Sequence, residues 1–297
     1  MNGDQQAPRS RARPARALSG LERWLQEWAV HEGVAAGRLR RYVMVLVVAA
    51  MLDAVRDTED EPRFLLKGGT SLELRFGHRA RASRDLDTVF RGELDDAIAL
   101  VEQAVARGWM DTFGGRITGV SEVNVPGLRV KPRRFEVKLT YRGRPFGTLP
   151  MEVSPPEGKT ADEYDVVEVR PLAPVGLEAP QDVPCLALRY QVAQKLHACT
   201  DRLDGGRLND RARDLADLIV IDQLALAELD LAPVREACVE IFGGRARHSW
   251  PPAIEVFPGW DALWADIVLD EDFPVEDIGE ACALVRDLVN RIDAARR

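Results

Sequence analysis

The stretch Lys67 to Phe90 constrains this chain more than any other. It reads K-G-G-T-S-L-E-L-R-F-G-H-R-A-R-A-S-R-D-L-D-T-V-F. Phe64-Leu65-Leu66 is a short apolar run that predicts a buried strand, and it feeds into Lys67-Gly68-Gly69-Thr70-Ser71. Leu72 and the run Leu74 to Phe76 then predict a helix, which Gly77 ends. A strand, two glycines and a hydroxyl-rich helix start make a phosphate site. The glycines let backbone N–H groups approach a ligand, and a helix N-terminus favours negative charge. Gly68, Gly69, Thr70 and Ser71 are therefore candidate nucleotide-binding residues. Lys67 is either a further contact or structural.

The same stretch ends in Asp85-Leu86-Asp87, and Thr88-Val89-Phe90 makes this a strand candidate. Side chains alternate along a strand, so Asp85 and Asp87 share one face while Leu86 turns to the core. Two carboxylates on one face repel unless a cation lies between them. A divalent metal with oxygen ligands, its shell completed by a substrate phosphate, answers that need. Either half of the stretch alone is a weak signal, since a Gly-Gly pair is most often only a turn and D-x-D most often a solvated edge. Their conjunction is what metal-dependent nucleotidyl transfer requires. Arg81 and Arg84 are candidate phosphate or acceptor contacts. Ser83 is a further candidate nucleotide-binding residue and lies two residues before Asp85, where a phosphate placed on it would repel an incoming nucleotide and compete for metal.

Charge is unevenly spread. The net charge of -8 argues against a nucleic-acid partner, but residues 222–297 hold 16 Asp/Glu and 7 Lys/Arg, which leaves 33 basic and 32 acidic residues in 1–221. The acidity belongs to the C-terminal part. Seven Lys/Arg and a single acid, Glu136, fall between Arg129 and Arg144, with Phe135 and Tyr141 interleaved. That segment reads either as a track for a phosphodiester backbone or as a solvated sheet face. The four cysteines, Cys185, Cys199, Cys238 and Cys282, are not at metal or redox spacing and fit a reducing cytoplasm. The apolar run Tyr42 to Leu52 is too short to span a bilayer, which takes about 20 residues, and predicts a buried helix; no membrane association is expected.

Along the chain, residues 1–17 are expected to be a disordered basic tail. Helices follow over Leu18–Val34 and Ala35–Arg56, with Trp24 and Trp28 read as core. Glu93 to Arg107 predicts an amphipathic helix, and strands are expected over Arg116–Asn124, Arg134–Tyr141 and Gly147–Ser154. Pro171, Pro174, Pro180 and Pro184 mark a linker that divides the chain near 180. Beyond it, Leu186–Arg202, Asn209–Ile221 and three later segments predict a helical bundle, with Trp250, Trp260 and Trp264 in its core. His197 reads as a packing or surface residue. The expected architecture is α+β, a mixed sheet with helices over 18–180 and a helical C-terminal lobe over 181–297.

G-G-T-S-L followed by R-x-S-R-D-L-D resembles the AbiEii/AbiGii class of nucleotidyltransferase toxins, including the MenT-type toxins, within the polymerase β-like nucleotidyltransferase superfamily. The segments K-L-H-A around Lys195 and R-x-R-D-L-x-D-L around Asp214 are similar to the remaining motifs of that family. The resemblance implies that Lys195 and Asp214 face the active site, the lysine holding a triphosphate and the aspartate positioning it. Without it, Lys195 and Asp214 read as a helix–helix ion pair of little worth. The superfamily also uses a third carboxylate on a neighbouring strand. Glu152 stands where that residue would come, with Glu136 as competitor, and would join Asp85 and Asp87 at the metal. Gln191 departs from the pattern, since many members carry an acid there. The implied reaction moves a nucleoside monophosphate from an NTP, with Mg²⁺ or Mn²⁺, onto a tRNA 3′ end and so arrests translation. A cognate antitoxin is the implied protein partner. Transfer to a small molecule or protein, kinase-like phosphoryl transfer, and a non-catalytic NTP-binding regulator are the alternatives.

Overall fold

A computed structural model describes residues 10–124, 130–203, 205–227, 229–271 and 273–295. The chain falls into two compact units. The described residues within 1–75, 82–156 and 166–185 form the first, and those within 76–81, 157–165 and 186–297 form the second.

The first unit is built on a mixed seven-stranded sheet. Its strands are β1 (Phe64–Lys67), β2 (Leu86–Phe90), β3 (Phe113–Glu122), β4 (Arg133–Tyr141), β5 (Arg144–Ser154), β6 (Tyr164–Glu168) and β7 (Asp182–Leu186), in the order β3-β4-β5-β2-β1-β7-β6. β2 pairs antiparallel with β1 and parallel with β5, while β5, β4 and β3 form an antiparallel meander. The alternation on β4 explains which face is covered. Phe135, Val137, Leu139 and Tyr141 are buried, whereas Arg134, Glu136, Lys138 and Thr140 turn the other way.

Three helices cover the apolar face. In α1 (Leu18–Glu32), Leu21, Leu25, Trp28 and Ala29 fall on one stripe and are buried. α2 (Ala36–Asp53) is buried continuously from Val43 to Ala49, which accounts for its apolar composition. It lies so close to β5 that a Cβ at Gly147 would meet Met44 Sδ at 2.4 Å. α4 (Leu94–Arg107) packs Val101 and Val105 against the same core. No described helix is long and apolar enough to cross a membrane.

Two segments make more contacts than their composition suggests. Of the tail 1–17, residues 1–9 lie outside the described residues, while 10–17 are mostly exposed but held at fixed contacts. Ala15 is buried, its carbonyl accepts from Tyr141 Oη at 2.6 Å and Arg142 Nε at 2.9 Å, and Arg11 pairs with Glu27 at 2.5 Å. Backbone groups with fixed partners order a stretch whose composition alone reads as solvated. The proline-rich segment 171–184 is likewise not a free linker. It carries a 3₁₀ turn, Ala173–Val175, and leads into β7, where Leu66 and Cys185 are register partners in parallel. Val183, Cys185 and Leu186 supply buried side chains that the prolines mask in the sequence.

The second unit is helical, with α5 (Leu188–Thr200), α6 (Ala212–Ile221), α7 (Ala232–Arg245), α8 (Trp260–Glu271) and α9 (Ile278–Ala294). Asp277 caps α9 by accepting from Glu280 N at 2.8 Å. Trp260 and Trp264 are buried and donate to the carbonyls of Asn209 and Val275. Trp250 is only half-buried and sits at the margin, bonded to Asp293 at 2.9 Å.

Candidate functional site

β1 ends at Lys67, and the chain turns at Gly68 into α3 (Gly68–Phe76). Gly68 has φ +64, a left-handed conformation that favours glycine. Space requires glycine as well, because a Cβ there would lie 2.6 Å from Asp87 Oδ2. The helix start therefore lies directly against a carboxylate of β2.

Thr70, Ser71 and Ser83 are buried rather than displayed. Thr70 Oγ1 donates to the Asp85 carbonyl at 2.7 Å, and Ser83 Oγ donates to the same carbonyl at 3.0 Å. These two hydroxyls fix the backbone just before β2 and so set the direction of the Asp85 side chain. Ser83, 3% exposed, also has its N–H on Glu73 Oε2 at 3.3 Å, so a modifying enzyme would have to open this segment to reach it.

Asp85 and Asp87 are both half-buried, while Leu86 between them is buried. Strand register then builds a charged row on the open face of the sheet. Lys67 partners Asp87, Asp87 partners Glu152, and Glu152 partners Arg134. The order of signs is plus, minus, minus, plus. The outer cations are engaged: Lys67 Nζ donates to Ser154 Oγ at 2.7 Å, and Arg134 Nη2 donates to Glu152 Oε2 at 2.8 Å. The two central acids are neighbours on adjacent strands, an arrangement that repels unless a cation offsets it. Glu136 lies one strand further out, opposite Thr118 and Pro150, with Lys138 Nζ 3.6 Å away.

Among the described residues, no group of three or more His, Cys, Asp or Glu is placed to hold a metal ion. What the row offers is hard oxygen donors in a half-open setting, Asp85 and Asp87 foremost, with Glu152 already bound by Arg134. That donor set fits an oxygen-seeking divalent ion that shares its shell with water and substrate, and does not fit a closed structural site.

In the second unit, Lys195 on α5 lies between two acids of α6. Its Nζ donates to Asp214 Oδ1 at 2.7 Å and to Asp217 Oδ2 at 2.6 Å. Asp214 and Asp217 are three residues apart and share a helix face. Arg81 closes the group with a two-pronged contact to Asp217 at 3.0 and 3.1 Å. Burial pushes the Lys195 ammonium down, but Asp214 and Asp217 overcome it and hold it above its ordinary value. Burial likewise pushes Asp217 up, and Lys195 and Arg81 bring it below the ordinary range. Asp217 is missing from the sequence reading, although the signal was present as the second aspartate of R-x-R-D-L-x-D-L. Arg81, expected as a phosphate contact, has its fork on Asp217.

His197 is buried and pushed down to about 3 by burial, with Arg245 and His248 adding to the effect, so it stays neutral and packs against Phe242. Burial also pushes the Cys199 thiol well up. All four cysteines are buried thiols. Gln191 donates to the Leu186 carbonyl at 2.9 Å, holding the start of α5.

The first unit thus gathers Lys67, Gly68, Gly69, Thr70, Ser71, Ser83, Asp85, Asp87 and Glu152, and the second gathers Arg81, Lys195 and Asp214. Residues 50–291 match the family model described as "Nucleotidyl transferase AbiEii toxin, Type IV TA system". Among solved structures, the chain is similar to MenT4, the nucleotidyltransferase toxin Rv2826c from Mycobacterium tuberculosis H37Rv. The two are 18% identical with a TM-score of 0.52, over 95% of this chain and 91% of that one. At that identity the likeness speaks for the fold. No curated protein matches this chain.

Proposed function

Because the chain belongs to the AbiEii family of nucleotidyltransferase toxins of type IV toxin–antitoxin systems, we propose that it transfers a nucleoside monophosphate from an NTP to the 3′ end of tRNA, with a divalent metal. The observation that carries this reading is the contact of the Gly68 helix start with Asp87, in register with Glu152. A phosphate-binding turn and an acidic pair share one place on the sheet.

In this reaction the acceptor 3′-hydroxyl oxygen forms a bond to the α-phosphorus, the α–β bridging P–O bond breaks, and pyrophosphate leaves. Asp85 and Asp87, joined by Glu152, would hold Mg²⁺ or Mn²⁺. The ion supplies charge stabilisation to the attacking and leaving oxygens of an in-line displacement. The backbone N–H groups of Gly68, Gly69, Thr70 and Ser71 at the start of α3 hold phosphate oxygens. Thr70 and Ser83 act through the backbone, by keeping Asp85 aimed. Lys67 stands beside Asp87 as a cation for the polyphosphate. Where Glu152 does not join the metal, it takes the hydroxyl proton instead, once freed from Arg134. Lys195 and Asp214 enter the proposal through the family motif, and Arg81 through its ion pair with Asp217.

The choice of a nucleic-acid acceptor is supported by Arg116, Arg134 and Lys138, which lie on the open face of β3 and β4. The protein is proposed to work in the cytoplasm, where tRNA and NTPs are found, and to be neutralised there by a cognate antitoxin.

The test is purified protein, Mg²⁺, total tRNA and each α-labelled NTP in turn. Label on RNA, lost with a chelator and restored by Mg²⁺, is the expected result. Label on a small molecule or protein would overturn the choice of acceptor. Transfer of γ-label without pyrophosphate would overturn nucleotidyl transfer itself.

A further inference from the structure

α2 carries three arginines near its start, and they are not treated alike. Arg38 Nε donates to Glu73 Oε1 at 3.0 Å. Arg40 directs both Nε and Nη2 to the Phe146 carbonyl. Arg41 differs: Nε and Nη2 are screened from solvent and have no hydrogen-bond partner among the described residues. Those two nitrogens form the edge of a guanidinium that grips two oxygens at once, as Arg81 grips Asp217. The charges that Arg41 feels most are Glu73, Asp85 and Asp87, while burial pushes it down from its ordinary value. An unpaired desolvated fork weakens a fold. Two of the carboxylates whose charge reaches it, Asp85 and Asp87, are those that the nucleotide reading assigns to catalysis.

We propose that Arg41 is a triphosphate-binding residue of this site, its Nε–Nη2 fork taking two oxygens of an NTP phosphate. The inference rests on the nucleotidyltransferase reading and adds to it a cation from outside the four sequence motifs. Because the fork is covered by its neighbours, reaching a phosphate takes a change of side-chain rotamer. No hydrogen bond from either nitrogen holds the present one. Negative charge arriving at Asp85 and Asp87 with its metal gives the freed guanidinium a partner of matching shape. A phosphate contact is blind to the base, so the effect must be the same for all four nucleotides.

The experiment is titration of fluorescent non-hydrolysable NTP analogues, one for each base, into the full chain with Mg²⁺. Wild type, Arg41→Gln and Arg41→Lys are compared. Arg41→Gln is expected to weaken all four analogues about tenfold or more, and Arg41→Lys by less, since a lysine keeps the charge but offers no fork. Equal affinity in wild type and Arg41→Gln overturns the role of Arg41 and leaves the nucleotidyltransferase reading standing. A loss confined to one base overturns the phosphate contact. No binding by the wild type overturns both. Should Arg41→Gln not fold, Arg41→Lys decides: affinity equal to wild type overturns the fork.

Discussion

The two units each hold four charges of balanced sign, and they use them in opposite ways. Lys67, Asp87, Glu152 and Arg134 stand in a row across the sheet, partly in water, with Asp85 adding a further negative charge. Arg81, Asp217, Lys195 and Asp214 close on one another, and the lysine and both aspartates are buried. In the first group the two acids at the centre of the row are each other's nearest strand neighbours. In the second each acid meets a cation at hydrogen-bond distance. The row lies partly in water, so its charges stay within reach of a ligand. The closed group is already satisfied and owes its strength to mutual pairing at low dielectric.

The contrast can be broken in three ways. The largest expected effect is on stability, in Lys195→Met. It leaves Asp214 and Asp217 buried without their shared cation and should cost about 3–5 kcal/mol in denaturant unfolding. The pH profile sharpens this. Asp217 is held below its ordinary value, so its contribution is present above the ordinary aspartate range and is lost as pH falls through the lower folded value. Lys195 is held above its ordinary value, so its contribution is complete below that value and is lost as pH rises through the folded one. Wild type should therefore keep a broad plateau, and the deficit of Lys195→Met should be largest near neutral pH and shrink as falling pH protonates Asp217. A change under about 1 kcal/mol would mean that the closed group is not what holds these helices.

The next effect is on rate, in Asp85→Asn. Activity in the tRNA-labelling assay should fall about a hundredfold or more, since a metal contributes several kcal/mol to the barrier. Unfolding free energy should stay within about 0.5 kcal/mol, because the side chain is half-exposed and removing a charge relieves repulsion. Unchanged activity would dissolve the distinction between the two groups. The smallest effect is in Arg134→Gln. The Arg134–Glu152 pair is exposed on the arginine side, so its loss should cost about 0.2–1 kcal/mol. A cost above about 2 kcal/mol would make the row structural and count against its being open to a ligand.

Much of this was legible in the residues themselves. Alternation around Leu86 put Asp85 and Asp87 on one side, and the paired glycines marked the helix start. Asp214 and Lys195 fell on helices because their apolar neighbours recur at helical spacing. What could not be read was partnership. Thr70 and Ser83 look like ligand donors in a sequence, yet their hydroxyls serve a carbonyl 15 and two residues away. Asp217 lies within R-x-R-D-L-x-D-L, yet nothing local says that Arg81, 136 residues away, completes it. The proline-rich segment before β7 hid a strand, because its pairing partner lies on β1.

The sequence by itself determined most of the helices, the central strands, the turn at Gly68 and the presence of an acidic pair, because these follow from periodicity and from the backbone freedom of single residues. Only the tertiary structure decided that Glu152 stands in register with Asp87, that Lys195 is shared by two aspartates, and that one arginine of three on α2 has an idle fork. Those outcomes depend on strand register and on which distant groups compete for the same hydrogen bond, and neither is encoded in any local stretch of chain.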